Sequence, residues 1–112
     1  VTDPEDAKIV TLARTARTRG YPAPAQGAAA RDETGRTYAA ATVDLGERAV
    51  SALAGALSAA VSSGARSFEA FALVAETPAL DDDDRALLTV LAAGIPILLA
   101  TPDGAVVATE RV

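Results

Sequence analysis

From Val50 to Gly64 the chain runs Val-Ser-Ala-Leu-Ala-Gly-Ala-Leu-Ser-Ala-Ala-Val-Ser-Ser-Gly, with no charged residue and little bulk. Alanine and leucine favour helix, and Gly64 supplies the left-handed residue that commonly ends one. A helix with so little solvated face has to be covered, by a core or by an interface. The rest of the chain must therefore provide a surface that accepts small side chains at short range. Gly55, inside the stretch, costs on the order of 1 kcal/mol relative to alanine, which implies a close backbone contact there.

The composition says what can cover such a helix. The 112 residues include two Tyr and two Phe but no Trp or Met, so the core is built from aliphatic residues and alanine. One domain with one core is expected over residues 1–112. No apolar run reaches the roughly 18 to 20 residues of a membrane span, and Ser51, Ser58, Ser62 and Ser63 punctuate the longest candidate. No basic segment followed by an apolar one marks a secretory leader, and a soluble cytoplasmic protein is expected. A net charge of −5 argues against nucleic acid, whose phosphates need Lys and Arg. The lack of cysteine excludes disulfides, thiolate nucleophiles and thiolate metal sites. The lack of histidine removes the usual general base and the commonest neutral metal ligand.

Thr2 or Asp3 can cap a first helix that has Pro4 at its first position and Glu5 and Asp6 in its first turn. Ile9, Leu12, Ala13 and Ala16 give it one apolar face. Arg14, Arg17 and Arg19 gather near its end before Gly20, where they complement the helix terminus or clasp a phosphate. The segment from Tyr21 through Pro22 and Pro24 to Ala25 reads as an extended connector. Gln26–Arg31 and Arg36–Val43 are strands around a turn at Asp32 to Gly35. The first is thin, with Gly27 ahead of three alanines, and the small-residue helix is the expected neighbour. A polar loop over Asp44 to Arg48 leads into that helix.

Ser67 to Ala75 and Ile95 to Ala100 read as buried strands. Between them Asp81 to Asp84 precede a third helix over Arg85 to Ala93, stopped by Gly94. A turn at Pro102-Asp103-Gly104 and a strand over Ala105 to Ala108 close the order. Helix-linked strands beside a hairpin imply a mixed sheet with helices on its faces.

Little chemistry is visible on this frame. Gly27 and Gly35 do not open a helix after a strand, as a dinucleotide-binding loop requires. A Ser-His-Asp triad is impossible, and Lys8 is the only lysine for a Ser-Lys pair. The four aspartates could offer oxygen ligands to Mg²⁺ or Ca²⁺, or act as an acidic cap on the third helix. Consecutive residues at a helix start point in different directions, which favours the cap.

Several stretches together resemble the small cytidine deaminases. They are Gly27-Ala28-Ala29, Asp32 to Tyr38, Val43, Ser51-Ala52 with Ala60 to Gly64, Phe68 to Val74, and Ile95 to Ala100 before Asp103-Gly104. The resemblance implies a three-layer α-β-α fold with a mixed five-stranded sheet, and assembly as dimers or tetramers around the central helix. In that family a Cys-Ala-Glu helix start supplies one zinc ligand and the acid/base, and a Pro-Cys-x-x-Cys motif supplies two more ligands. Zinc then activates the water that attacks C4 of cytosine. By the resemblance those positions fall on Ser51-Ala52-Leu53 and near Asp81 and Asp84. The ribose-holding Asn-x-Glu falls on Thr42-Val43-Asp44.

The departures are chemical. Serine is a poor zinc ligand, Leu53 cannot carry a proton, and general acid–base catalysis alone is worth about 10²–10⁴-fold. No zinc, no other cofactor and no deamination by the family mechanism are expected. Two readings stay open. One is a non-catalytic scaffold that self-associates and contacts a protein partner. The other is a module that binds a nucleoside or nucleotide in a remnant pocket at Thr42, Asp44, Ser51, Leu53, Asp81 and Asp84. Neither membrane nor nucleic acid is an expected partner.

Overall fold

A computed structural model describes residues 3–21 and 25–112 of the chain. Thr2, one of the two cap candidates, and residues 22–24 of the connector lie outside the described residues. The elements run α1 (Pro4–Arg17), β1 (Gly27–Asp32), β2 (Thr37–Ala41), β3 (Val43–Asp44) and β4 (Ala49–Val50). They continue with α2 (Ala52–Ser62), β5 (Phe68–Val74), α3 (Asp82–Leu91), β6 (Ile97–Ala100) and β7 (Val106–Glu110). Five strands form one sheet in the order β2-β1-β5-β6-β7. The β5–β6 pair is parallel and the other three are antiparallel, so the sheet is mixed.

Strand alternation sorts the side chains between two covering layers. Ala29, Ala70, Ala72, Val74, Leu98 and Ala100 pack with Ile9, Val10 and Ala13 of α1 on one face. Ala28, Ala30, Phe71, Leu73, Ile97 and Leu99 pack on the other with Leu53 and Leu57 of α2 and Leu88 of α3. Four of these six sheet residues under α1 are alanine, which lets that helix lie close. A β-carbon on Gly27 would sit 2.6 Å from the Arg17 nitrogen and collide with the Ala13 carbonyl oxygen. The thin first strand thus answers α1 as well as the small-residue helix. On the other face a β-carbon on Gly55 would sit 2.9 Å from the Ala40 β-carbon, the close approach implied by a glycine inside α2.

Helix α1 starts where its signals put it, with Asp3 accepting from the Glu5 N–H at 2.8 Å. Val10 is buried beside Ile9, Ala13 and Ala16, while Leu12 is half-buried. Its arginines stitch the helix end to neighbouring loops. Arg14 Nε donates to the Pro102 carbonyl and Arg17 Nε to the Ala25 carbonyl, each at 3.0 Å.

Helix α2 departs from expectation. Ala52, Leu53, Ala56, Leu57 and Ala60 are buried, but Ser58, Ala59, Val61 and Ser62 face solvent. The sheet and α3 cover only part of its circumference. Small neutral side chains therefore mark no polar face, although one exists. The expected loop over Asp44 to Arg48 is the turn of a two-stranded hairpin, with Val43 paired to Val50 and Asp44 to Ala49. Strands of two residues carry no readable alternation. Helix α3 begins at Asp82 rather than Arg85, because Asp81 is its cap and the other aspartates form its first turn. Strand β6 begins at Ile97, after Pro96, and β7 extends to Glu110 along the sheet edge.

The β1–β2 turn is held by a buried carboxylate. Asp32 is 2% exposed. Its Oδ1 accepts from the Thr34 N–H at 2.9 Å, the Thr34 hydroxyl at 2.7 Å and the Arg36 N–H at 3.0 Å. Its Oδ2 accepts from the Tyr38 hydroxyl at 2.9 Å. The Thr34 hydroxyl, and then the other donors, hold this carboxyl below the usual carboxylate range against the opposing effect of burial. No described helix is long and apolar enough to cross a membrane.

Candidate functional site

The N-termini of α2 and α3 meet at one place, joined through side chains. Ser51 has extended backbone and caps α2, its Oγ accepting from the Ala54 N–H at 3.1 Å. The same hydroxyl donates to Asp84 Oδ1 at 2.6 Å. Asp84 stands three residues after the α3 cap, and its N–H donates to Asp81 Oδ1 at 2.7 Å. In a capping box the side chain at this third position reaches back to the cap's own N–H; here its Oδ1 is taken by the Ser51 hydroxyl of another helix.

Asp84 is 4% exposed. Burial raises its pKa, the Ser51 hydrogen bond opposes the rise, and the charges of Asp81 and Asp83 add to it. Its three aspartate neighbours are exposed, so the run splits into an acidic helix start and one withdrawn carboxyl.

A cavity of about 600 Å³ opens over this junction. Ser51 and Ala54 line it from α2, and Asp81, Asp83, Asp84 and Leu87 from the α3 side. Gln26 and Thr42 form a second wall and the β4 residues Ala49 and Val50 a third. Gln26 and Thr42 brace each other: the Gln26 N–H donates to Thr42 Oγ1 at 3.0 Å, and the Thr42 N–H donates to the Gln26 carbonyl at 3.1 Å.

Four of the residues singled out from sequence, Thr42, Ser51, Asp81 and Asp84, thus surround one cavity. Two do not. Asp44 is exposed at the end of β3, and its Oδ1 accepts from the Gly46 N–H of the following turn at 2.8 Å, as aspartates beside tight turns commonly do. Leu53 is 1% exposed and belongs to the core between α2 and the sheet. Gln26 and the β4 wall went unrecognised from sequence. The Asp44-x-Gly46 turn was the one local sign of that hairpin.

The donor set does not fit the zinc that a deaminase resemblance implies. Ser51 Oγ is engaged by Asp84 and the Ala54 N–H, and Asp81 Oδ1 by the Asp84 N–H. Among the described residues no three His, Cys, Asp or Glu side chains converge to hold a metal ion. Structural and catalytic zinc sites draw mainly on Cys and His, and the chain has neither.

Comparison with known proteins places the fold. A search of curated proteins gave no match. Among solved structures the chain is similar to the cytidine deaminase of Burkholderia pseudomallei, at TM-score 0.84 and 24% identity over 93% of this chain and 90% of that one. It is similar to the Mycobacterium leprae cytidine deaminase at TM-score 0.75 and 19% identity, with the same coverage of 93% and 90%. The Mycobacterium tuberculosis cytidine deaminase follows at TM-score 0.73 and 22% identity, over 85% of each chain. Identities this low carry the fold alone. The sequence model of the cytidine deaminase-like family matches residues 2–104, and the chain belongs to that family.

Proposed function

We propose that the protein is a non-catalytic member of its family that works by assembling with copies of itself, as a dimer or tetramer, and through protein contacts. The observation that carries this reading is the uncharged solvent face of α2. Val61 there is 45% exposed, and α3 exposes Val90, at 81%, and Leu91, at 41%. A groove of about 330 Å³ runs between the helices, lined by Leu57, Val61, Leu87 and Leu91 with Ser58 and Ser62. Apolar surface concentrated in this way commonly marks an interaction site, and a self-complementary patch gives a closed dimer. The buried Leu53, at the position matched to the family's proton carrier, supports the absence of catalysis. Sedimentation velocity across a concentration series tests the assembly. The wild type should associate and Val61→Asp with Val90→Asp should not; a wild type that stays monomeric throughout overturns the reading. The purified protein is expected to hold no stoichiometric zinc and to leave cytidine unconverted. Turnover lost on a Leu53 substitution would reverse that.

The cavity favours a second reading, a module that binds a nucleoside or nucleotide without converting it. Its volume of about 600 Å³ lies within the range of small-molecule sites. Thermal-shift measurements with nucleosides and nucleotides test it, with stabilisation expected to fall on Thr42→Ala.

A further inference from the structure

We infer that a cleft beside the C-terminal end of α1 binds a phosphate group, free or carried on a small ester, through Arg14 and Arg17. The cleft lies on the α1 face of the sheet, away from the cavity at the joined helix ends, and needs neither self-assembly nor a nucleoside pocket. Its volume is about 350 Å³, within the range of small-molecule sites. Among the described residues its lining holds the two arginines with Thr11, Thr15 and Thr18, and no Asp or Glu. Residues three apart on a helix share a face, so both guanidinium groups serve the same space. In a chain of net charge −5, two cations without a carboxylate in a cleft run against the average surface.

The guanidinium groups are oriented by the fold but not used up by it. Each gives its Nε–H to a loop carbonyl, of Pro102 and of Ala25 respectively, and among the described residues their terminal nitrogens make no hydrogen bond. Arg17 Nη2 stands 3.6 Å from Glu76 Oε1, on a side chain that is 72% exposed. Elsewhere the chain supplies its arginines with carboxylates: Arg31 meets Asp6 and Glu69, and Arg85 meets Glu110, each at 3.1 Å or less. Capping does not account for the pair either. The last carbonyls of α1 already accept, Thr15 from the Thr18 N–H and hydroxyl, Ala16 from the Arg19 N–H and Arg17 from the Gly20 N–H. Asp103 lies close enough to feel the Arg14 charge, but its Oδ1 is engaged by the Thr101 hydroxyl and the Ala105 N–H, and it lines a separate hollow. The three threonine hydroxyls bond back to helix carbonyls, so the donors left for a ligand are guanidinium N–H groups. Their forked geometry matches phosphate oxygens, and one phosphate has oxygens enough for both arginines.

Inorganic phosphate, phenyl phosphate and phenol separate the charged group from the body that carries it. Titrations of the full chain at low salt, followed through its amide and arginine Nε–H resonances, form the test. Both phosphates are expected to shift the Arg14 and Arg17 Nε–H signals and the Thr15 and Thr18 amides, and phenol to leave them in place. Tighter binding of phenyl phosphate assigns the site to an ester, and equal binding assigns it to the free ion. Arg14→Gln and Arg17→Gln should each weaken binding about tenfold, the scale of one hydrogen bond to a charged group. Because each Nε also holds a loop, Thr15→Glu is the second variant: it sets a carboxylate in the cleft with both loop contacts intact, and should weaken binding about fivefold. Arg19→Gln removes the same charge outside the cleft and should change binding less than about twofold. A loss on Arg19→Gln equal to that on Arg14→Gln, or phosphate shifts scattered over the other cations, overturns the inference in favour of general charge attraction. Cleft signals that neither phosphate moves, or that phenol moves as far as phenyl phosphate does, overturn it as well.

Discussion

Asp32 and Asp84 are both withdrawn from solvent, one at the far end of β1 and the other beside the cavity at its near end, and the fold treats them differently. Asp32 receives four donors on two oxygens, three from the β1–β2 turn and one from Tyr38 of β2. Asp84 receives the Ser51 hydroxyl on one oxygen, from a helix start 33 residues away. Local donors lower the pKa of the first, and burial raises that of the second. A carboxylate that finds all its partners on folding serves the fold. One that is buried beside a cavity, with its pKa raised by burial, is a candidate functional group. The carboxylate at the far end of β1 is thus held within its own hairpin, and the one near its start by a contact between two helix ends.

The sharpest way to break this contrast is to remove each. Asp32→Ala is expected to have the largest effect of the variants described here. It strands the Thr34 and Arg36 N–H groups and the Tyr38 and Thr34 hydroxyls, lowering the melting temperature by about 10 °C or more. Asp32→Asn keeps the Oδ1 acceptor and should cost about half as much. Thermal denaturation followed by circular dichroism measures both. An Asp32→Ala variant that melts close to the wild type would show that the turn does not depend on its carboxylate.

Ser51→Ala comes next. It removes the α2 cap, typically about 1 kcal/mol, and leaves Asp84 without its donor, for a total of about 2 kcal/mol. In an Asp84→Asn background the cost of Ser51→Ala should fall to about 1 kcal/mol, because no buried charge is then left unpaired. Urea denaturation of the four proteins closes the cycle. Equal costs in both backgrounds would mean that Ser51 only caps its own helix.

This contrast also divides what was legible in the chain from what was not. The turn at Asp32 to Gly35 was readable because its chemistry is local, an aspartate followed at once by the groups it binds. The end of α2 at Gly64 and its close-packed Gly55 were readable for the same reason. The Ser51–Asp84 bond was not, since two helix starts far apart in sequence leave no periodic sign of their meeting. The aspartate run announced a cap without saying which member would be withdrawn. The family resemblance aligned Ser51 with Asp81 and Asp84, and the fold brings those three together. The same resemblance offered Asp44 and Leu53, which the fold sends to a turn and to the core. The exposed face of α2 was hidden for a different reason: alanine and serine mark neither side of a helix.

The smallest effect is also the most discriminating. Asn at position 84 can still accept from Ser51, and it carries no charge to be desolvated. Asp84→Asn is therefore expected to change stability at neutral pH by less than about 1 kcal/mol, in the stabilising direction. Its pH dependence follows from the direction of the shift. A carboxyl whose folded pKa is raised contributes stability that is fully present below its unfolded value, about 3.9, and lost as pH rises through the folded value. The advantage of Asp84→Asn over the wild type should thus be near zero below pH of about 4 and grow as Asp84 ionises in the fold. Asp32 runs the other way. Its depressed pKa gives stability present above the unfolded value and lost as pH falls through the folded one, so the deficit of Asp32→Asn should shrink in acid. Urea midpoints of the three proteins from pH 3 to 8, a range chosen to bracket about 3.9, measure both slopes. Opposite slopes keep the two carboxylates in separate roles. A flat difference for Asp84→Asn would mean that its carboxyl titrates as if in water, and a deficit that grows with pH would make it a second Asp32, stabilised by its partners.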